Sequence, residues 1–115
     1  MFKVSLIKVP VSDLARAVSF YEVALGVRAV FVAEEYGWAQ LDGLGTPFAL
    51  YVPGKGGGDR ALSGSVDFHL SHPDVDALHA TVSAVAADAV LAKNDDGSRS
   101  LEFSDPDGNT LKVMA

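Results

Sequence analysis

Several side chains that could take part in chemistry lie on a few short segments of this sequence. Asp67 and His69 stand two residues apart, a spacing that places a carboxylate and an imidazole on the same face of a β-strand. Such a pair can exchange hydrogen bonds or transfer a proton. Lys8 and Lys112 could receive an anionic group, and Trp38 could stack on a flat molecule or belong to the core. We expect these side chains to line a small-molecule pocket. The alternative is that the same charged groups pair with one another in an internal salt-bridge network.

A metal site built from the histidines is not expected from their spacing. His72 is an odd number of residues from His69, so on a regular strand the two side chains point to opposite faces. His79 lies within a predicted helix, which leaves Asp67 and His69 without a third ligand. The sequence has no cysteine, so it forms neither a thiolate site nor a disulfide. We therefore expect no metal and no cofactor.

Composition narrows the class of protein. The chain has 115 residues, 49% of them hydrophobic and 21% charged, as expected for one globular domain. Its net charge of −6 and scattered basic residues argue against a nucleic-acid partner. No apolar run reaches the roughly 18 residues that a membrane span needs, and the first residues lack the apolar region of a signal peptide. We expect a cytoplasmic protein with no membrane partner.

The first half of the chain has the pattern of a βαβββ unit. Residues 3–11 alternate in polarity as a strand does, and helical spacing follows over 13–25. Ser12 is the expected N-cap of that helix, and Gly26 is its expected C-terminal glycine. Three β-rich stretches complete the unit, at 27–33, 37–41 and 48–52.

The second half repeats this order after a glycine-rich stretch, 54–61, that has the composition of a linker. A shift of about 61 positions places Asp13 on Asp74 and aligns the apolar pattern of the two halves. We expect one domain, 1–115, with a first module at about 2–53 and a second at about 62–115. The predicted elements of the second module are a strand over 66–71, a helix over 75–85, and strands at 89–92, 100–103 and 110–114.

Two segments carry a resemblance to a known family. The segment 9–21, Val-Pro-Val-Ser-Asp-Leu-Ala-Arg-Ala-Val-Ser-Phe-Tyr, resembles the start of proteins of the vicinal oxygen chelate superfamily, which includes glyoxalases, bleomycin-resistance proteins and ring-cleaving dioxygenases. The segment 103–109, Phe-Ser-Asp-Pro-Asp-Gly-Asn, resembles the closing turn of the same proteins. The resemblance implies a glyoxalase-like α+β fold, in which two βαβββ modules form a curled mixed sheet or incomplete barrel. It also implies a homodimer with a ligand in the cupped interior.

The resemblance assigns up to four metal ligands, and this chain departs from that pattern. The matching positions are Leu6, Tyr51, Asp67 and Lys112, of which only Asp67 is a conventional ligand. The resemblance thus implies a metal-independent binding protein of the bleomycin-resistance type, which sequesters a small organic ligand in a dimeric groove. The predicted ligand-binding residues are Leu6, Lys8, Trp38, Tyr51, Asp67, His69 and Lys112.

Two other functions stay open at this point. One is a glyoxalase-like lyase, isomerase or dioxygenase, with a relocated metal site or with Asp67 and His69 as an acid–base pair. The other is a scaffold domain whose cup is filled by its own side chains.

Overall fold

The computed structural model describes residues 1, 3–63 and 67–115. Its elements follow in the order βαβββ and again βαβββ, with a short 3-10 turn, Glu34–Tyr36, after the second strand. The elements are β1 (Ile7–Pro10), α1 (Leu14–Leu25), β2 (Arg28–Ala33), β3 (Trp38–Asp42), β4 (Phe48–Tyr51), β5 (His69–Ser71), α2 (Val75–Val82), β6 (Val90–Lys93), β7 (Arg99–Ser104) and β8 (Thr110–Met114).

The strands form two four-stranded mixed sheets of the same topology. The first sheet has the order β1-β4-β3-β2 and the second has the order β5-β8-β7-β6. In each, the strand before the helix pairs in parallel with the last strand, and the remaining pairs are antiparallel. Within the described ranges no strand pair joins the two sheets, so they do not close into a barrel. The predicted α+β class with two βαβββ units is confirmed, and the module boundaries stay a prediction.

An aspartate immediately before each helix caps its N-terminus. The Asp13 side chain accepts a hydrogen bond from the Arg16 N–H at 3.0 Å, and the Asp74 side chain accepts one from the Ala77 N–H at the same distance. Each carboxylate thereby satisfies an N–H group that has no partner within the helix. The prediction of Ser12 as the first N-cap was wrong by one residue, because its backbone and hydroxyl bond a different segment. Gly26 ends α1 in the left-handed conformation, with a φ of 67°.

Three elements are shorter than the sequence predicts by more than one residue. β1 covers only Ile7–Pro10 of the predicted 3–11, since its partner strand β4 has four residues and follows Pro47, which has no N–H to extend the pairing. β5 begins at His69, and the predicted start of this strand at Val66 lies outside the described residues. α2 ends at Val82, and the Ala84 N–H then bonds the Thr81 carbonyl, three residues back, in place of the α-helical spacing of four.

The core lies between the two helices and one face of each sheet. Phe20 of α1 contacts Phe103 of the second sheet, with ring centroids 6.2 Å apart, and Tyr21 contacts Phe48 of the first sheet at 5.7 Å. Because α1 contacts both sheets, their inner faces share one apolar interior. The largest fully buried side chains are those of Tyr21, Tyr51, Phe48, Phe103, Leu50, Leu101 and Leu111, together with Val9, Val11, Val75, Val82 and Val113.

A buried polar network joins the two modules. The Tyr21 hydroxyl donates to Asp105 Oδ2 at 2.9 Å, and Asn109 Nδ2 donates to the same oxygen at 2.7 Å. Asn109 Nδ2 also donates to the carbonyl of Pro10 at 3.0 Å, at the end of β1. We call these four residues the module joint. Its hydrogen bonds connect the two segments that resemble the known family, which are nearly 100 residues apart in sequence.

Asp107 adds an outer layer to the joint. The Ser12 N–H and hydroxyl both donate to the carboxylate of Asp107, and Arg16 lies 3.7 Å from it. Ser12 does not cap α1, because the helix begins one residue later and Asp13 bonds the Arg16 N–H. The Ser12 hydroxyl instead links the modules, since it accepts a hydrogen bond from the Arg16 guanidinium and donates one to Asp107. The Asp107 side chain is 5% exposed but the Arg16 side chain is 54% exposed, so solvent still screens this ion pair and its contribution to stability is small.

Burial raises the pKa of the Tyr21 hydroxyl far above its ordinary value, and the adjacent carboxylates of Asp105 and Asp107 raise it further. Tyr21 is therefore held as a hydrogen-bond donor over the whole physiological pH range.

The longest helix, α1, has 12 residues, and none of the described helices is long and apolar enough to cross a bilayer.

We expect Tyr21→Phe to lower the free energy of unfolding at pH 8 by about 1 kcal/mol, because one buried hydrogen bond is lost. A tyrosine whose pKa is higher in the folded state than in the unfolded state stabilises the fold fully below the unfolded pKa. This stabilisation is lost as the pH rises above the unfolded pKa. The wild type should therefore lose about 1.4 kcal/mol per pH unit above pH 10 through Tyr21, a loss that the variant lacks.

Urea unfolding at pH 8 and at pH 11 measures both effects. Tyr36→Phe is the matched control, because the Tyr36 side chain is 60% exposed and the variant retains Tyr21. If the free energy of unfolding fell equally between pH 8 and pH 11 in the wild type and in Tyr21→Phe, the raised pKa of Tyr21 would be contradicted.

Candidate functional site

Each sheet has an outer face that the helices do not cover, and we call these the cup faces. On the first sheet, the cross-strand register aligns Pro10, Tyr51, Trp38 and Ala33 in one row. A second row contains Lys8, Ala49, Gln40 and Phe31. The side chains between these rows, such as Val9 and Leu50, belong to the core, because successive residues of a strand point to opposite faces.

A glycine-rich segment, Gly54–Gly58, lies across the first cup face, and we call it the glycine strap. The Gly54 N–H donates to the Gly58 carbonyl at 3.0 Å and closes the segment on itself. A Cβ on Gly57 would lie 2.9 Å from Trp38 Cε3, and one on Gly58 would lie 2.8 Å from Tyr51 Cε2. Only glycine permits so close an approach of a backbone to aromatic rings. The stretch predicted as a linker is thus packed on the cup face.

The strap explains the burial of Tyr51. This side chain is on the cup face, away from the apolar core, yet it is only 1% exposed. The strap backbone covers its ring from outside. Tyr51 is therefore beneath the strap and does not form an open wall of the cup in this arrangement.

Lys8 links the cup face to the strap. Its ammonium group donates a hydrogen bond to the Gly57 carbonyl. The same Nζ lies 6.0 Å from the centroid of the Trp38 ring and 5.1 Å from that of Tyr51, within the range of cation–π attraction. Three of the predicted ligand-binding residues, Lys8, Trp38 and Tyr51, are thus brought together.

A cavity of about 400 Å³ opens beside the strap. It is lined by Lys8, Phe31, Ala33, Tyr36, Trp38, Gly56 and Gly57. Its wall therefore contains three aromatic rings and one ammonium group, which is a composition suited to small-molecule binding.

Sequence reasoning did not identify Phe31 or the strap as parts of this cavity. Phe31 lies in an apolar run, Val30-Phe31-Val32, that has no alternation to show which side faces inward. The pairing of β2 with β3 also shifts between Ala29 and Phe31, and such a bulge reverses the facing of residues beyond it. The glycines are typical of a linker, and only their contacts with the rings distinguish the strap.

The remaining predicted residues lie elsewhere. His69 and Lys112 are cross-strand neighbours on the second sheet, and Lys112 in turn pairs with Glu102. Asp67 precedes β5 and is exposed, and Leu6 precedes β1 with 37% of its surface exposed. Across the described residues no hydrogen bond or ion pair connects these four side chains with Lys8, Trp38 or Tyr51. Their part in ligand binding stays a prediction.

Two other cavities accompany the second module. One, of about 300 Å³, lies on the second cup face and is lined by Asp88, Val90, Ala92, Ser100, Glu102, Phe103, Ser104 and Thr110. The other, of about 340 Å³, lies where the modules meet and includes Phe48, Phe68, His69 and His72 in its wall. Phe68 and Leu70 pack against the core.

The four metal positions implied by the family resemblance do not form a suitable donor set. Leu6 is aliphatic, Tyr51 is covered by the strap, and Lys112 carries a positive charge. Asp67 alone offers a ligand of the usual kind. No cluster of three or more potential metal-binding His, Asp or Glu side chains occurs in the part of the chain that the structure describes.

The histidines have separate surroundings. The Asp74 N–H donates to His72 Nδ1 at 3.0 Å, just before α2. His79 Nε2 lies 3.2 Å from the Ala89 carbonyl, within hydrogen-bond distance. Among the described contacts, no hydrogen bond joins Asp67 to His69, and their role as an acid–base pair stays a prediction.

Comparison with known proteins agrees with this geometry. The family model of the Glyoxalase/Bleomycin resistance protein/Dioxygenase superfamily matches residues 3–113. The chain belongs to this superfamily. Among the curated proteins, none matches the chain.

Solved structures of similar fold include proteins with different stated activities. A superfamily member from Sphaerobacter thermophilus DSM 20745 is 25% identical with a TM-score of 0.78, over 99% of this chain and 97% of that one. TnmS3, an antibiotic-binding protein from Streptomyces sp. CB03234, is 28% identical with a TM-score of 0.71, over 99% and 95%. Lactoylglutathione lyase from Agrobacterium tumefaciens is 20% identical with a TM-score of 0.75, over 97% and 92%, and shows the shared fold alone.

We expect Gly57→Ala to displace the strap, because the added Cβ would lie 2.9 Å from Trp38 Cε3 and 3.1 Å from Tyr51 Cβ. The free energy of unfolding should fall by about 1–3 kcal/mol, as overpacking usually costs. Trp38 is the only tryptophan of the chain, so the red shift of its emission and increased quenching by acrylamide report on this site alone.

The control is Gly54→Asn. No atom lies within 4 Å of a Cβ at that position, and asparagine tolerates the positive φ of 85° better than most residues. Trp38 emission that is unchanged in Gly57→Ala would show that the strap does not pack on the ring.

Proposed function

We propose that this protein binds a small organic molecule without a metal, in the manner of bleomycin-resistance proteins, in a groove that a second copy of the chain completes. The observation that carries the proposal is the cavity of about 400 Å³ beside the glycine strap. Its size falls in the usual range of ligand pockets, and it combines aromatic walls with a single ammonium group. The relationship to TnmS3, whose stated property is antibiotic binding, supports the same function.

The side chains at the four metal positions implied by the resemblance support binding without a metal. Of the four positions that would coordinate a metal in the superfamily's enzymes, only Asp67 has a suitable side chain. Lys112 would repel a cation at its position. The interaction energy of the cup then comes from aromatic contacts, hydrogen bonds and the charge of Lys8.

In this proposal the second copy brings the two groups of predicted residues to one ligand. Leu6, Lys8 and Trp38 come from the first module of one chain, where Tyr51 lies beneath the strap and supports the Lys8 ammonium. Asp67, His69 and Lys112 come from the second module of the other chain. Within one chain the two sheets share their core faces, so the helices leave the second cup face and the part of the first outside the strap available to a partner.

Exposed apolar residues on β2 support the dimer. This strand is at the edge of the first sheet, and its Val30, Phe31 and Val32 side chains are 55%, 58% and 47% exposed. On the second sheet the edge strand β6 exposes Val90 by 59%. Uncovered apolar edge strands are uncommon in monomers, because they pair readily with other chains.

The proposed location of the protein is the cytoplasm.

A thermal-shift screen of small organic molecules, combined with elemental analysis of the purified protein, tests the function. We expect less than 0.1 divalent metal ion per chain, no stabilisation by Zn²⁺, Mn²⁺ or Ni²⁺, and stabilisation by one or more organic compounds. A ligand at 100 times its Kd stabilises the folded state by about 2.7 kcal/mol, which a melting curve of a domain this small resolves easily.

A stoichiometric metal that is lost in Asp67→Ala but retained in Asp95→Ala would overturn the proposal and support the lyase, isomerase or dioxygenase alternative. Asp95 is a suitable control because it is an exposed aspartate in a turn. A screen in which metals stabilise the protein and organic compounds do not would have the same meaning.

For the dimer we expect Val30→Glu to weaken self-association by at least about tenfold, because the interface would bury an unpaired charge. Val23→Glu is the control, since Val23 is 45% exposed on α1 and the charge change is the same. Sedimentation velocity across a concentration series measures the dissociation constant of each. A wild type that is monomeric throughout the series would contradict the dimer.

A further inference from the structure

The surroundings of Lys8 restrict the kind of ligand that the strap cavity can accept. Its ammonium group lies against the rings of Trp38 and Tyr51, 6.0 Å and 5.1 Å from their centroids, and donates to the Gly57 carbonyl. An ammonium has three N–H donors, and the carbonyl uses one of them. The group therefore retains donors for a ligand without breaking its contact with the strap.

The aromatic walls favour a flat molecule. Tyr36 and Phe31 are 60% and 58% exposed, an unusual degree for large rings that line a cavity, and Trp38 is half-buried beside them. Ala33, the cross-strand neighbour of Trp38, leaves space over the sheet between these rings. A planar ring system in this space would cover apolar surface that is otherwise in contact with water.

The sign of the ligand's charge follows from what already occupies the rings. Aromatic clusters often bind cations, but here the ammonium of Lys8 already lies within cation–π range of Trp38 and Tyr51. A cationic ligand would meet a like charge in the same small space, whereas an anion would meet an opposite one.

Other charges at the cavity do not reverse this preference. Lys8 is the single charged residue among the described lining residues, and Lys55 of the strap adds a second positive charge nearby. Glu34 and Glu35 precede Tyr36 on the 3-10 turn, where both are exposed to solvent and outside the cavity wall. Their charge is screened by water more strongly than that of a group within the wall.

We propose that the strap cavity takes a flat aromatic molecule that carries a carboxylate or a similar anionic group. The anionic group accepts hydrogen bonds from the Lys8 ammonium, and the ring system stacks among Trp38, Tyr36 and Phe31. This inference rests on the proposed binding function and adds the class of ligand to it.

Three matched probes test the inference: 2-naphthoate, neutral 2-naphthamide and cationic 2-naphthylmethylammonium. Calorimetric titration of the wild-type protein measures their affinities. The indole N–H signal of Trp38 in a ¹⁵N spectrum locates binding, because the chain has one tryptophan. We expect 2-naphthoate to bind most tightly and to shift the Trp38 signal.

Variants of Lys8 separate its charge from its packing. We expect Lys8→Met to weaken 2-naphthoate binding by about tenfold or more, as loss of a charge-assisted hydrogen bond does, and to leave 2-naphthamide binding within about twofold. Lys8→Arg should retain the preference for the carboxylate. Lys93→Met, which makes the same change in net charge at an exposed position on β6, should leave all affinities unchanged.

The outcomes distinguish this inference from the function on which it rests. Tighter binding of the cation or the amide at Trp38, carboxylate binding that leaves the Trp38 signal unmoved, or an unchanged preference in Lys8→Met would overturn the ligand class and leave small-molecule binding intact. Absence of binding by all three probes, together with absence of any stabilising compound in the thermal-shift screen, would overturn both.

Discussion

The buried carboxylate of Asp105 is the group on which the relative placement of the two modules depends. It accepts hydrogen bonds from Tyr21 in the first helix and from Asn109 in the last turn, and Asn109 also bonds the carbonyl of Pro10. A buried carboxylate is costly unless its oxygens are satisfied, so the three segments must meet in one geometry. The joint thus specifies how the repeated units are assembled, beyond what apolar packing alone would select.

This arrangement leaves the cup faces uncovered by the helices. Because α1 packs against both sheets, the helices cover the inner faces, and the glycine strap covers part of the first outer face. An outer face of a curled sheet combines a rigid backbone with alternating side chains, so it can present a binding surface without affecting the core. Substitutions at Trp38 or Lys8 therefore leave the packing of Val9 and Leu50 in place.

The glycine strap changes what the first cup face offers. Its backbone covers Tyr51, one of the positions that a metal-binding relative would use, and its Gly57 carbonyl takes a hydrogen bond from Lys8. Aromatic walls and an ammonium group then form the accessible part of the cup. The surface is suited to recognising an organic molecule by shape and charge, and the strap is an integral part of it.

The sequence by itself determined the two βαβββ units, because the polarity patterns, the aspartates at the helix starts and Gly26 are local signals that act within a few residues. It also determined that Leu6, Tyr51 and Lys112, three of the positions implied by the resemblance, are not conventional metal ligands, since that depends on residue type. Ser12 was assigned to the wrong role because its partner, Asp107, is 95 residues away.

Only the tertiary structure decided which residues share the candidate site. The strap has the composition of a linker, and its packing on Trp38 and Tyr51 depends on where the chain returns after β4. The bulge in β2 turned Phe31 toward the cavity, and no alternation in the sequence marks that change. Local signals determine elements, whereas a site requires distant segments to meet, and that meeting depends on packing and on buried hydrogen bonds such as those of Asp105.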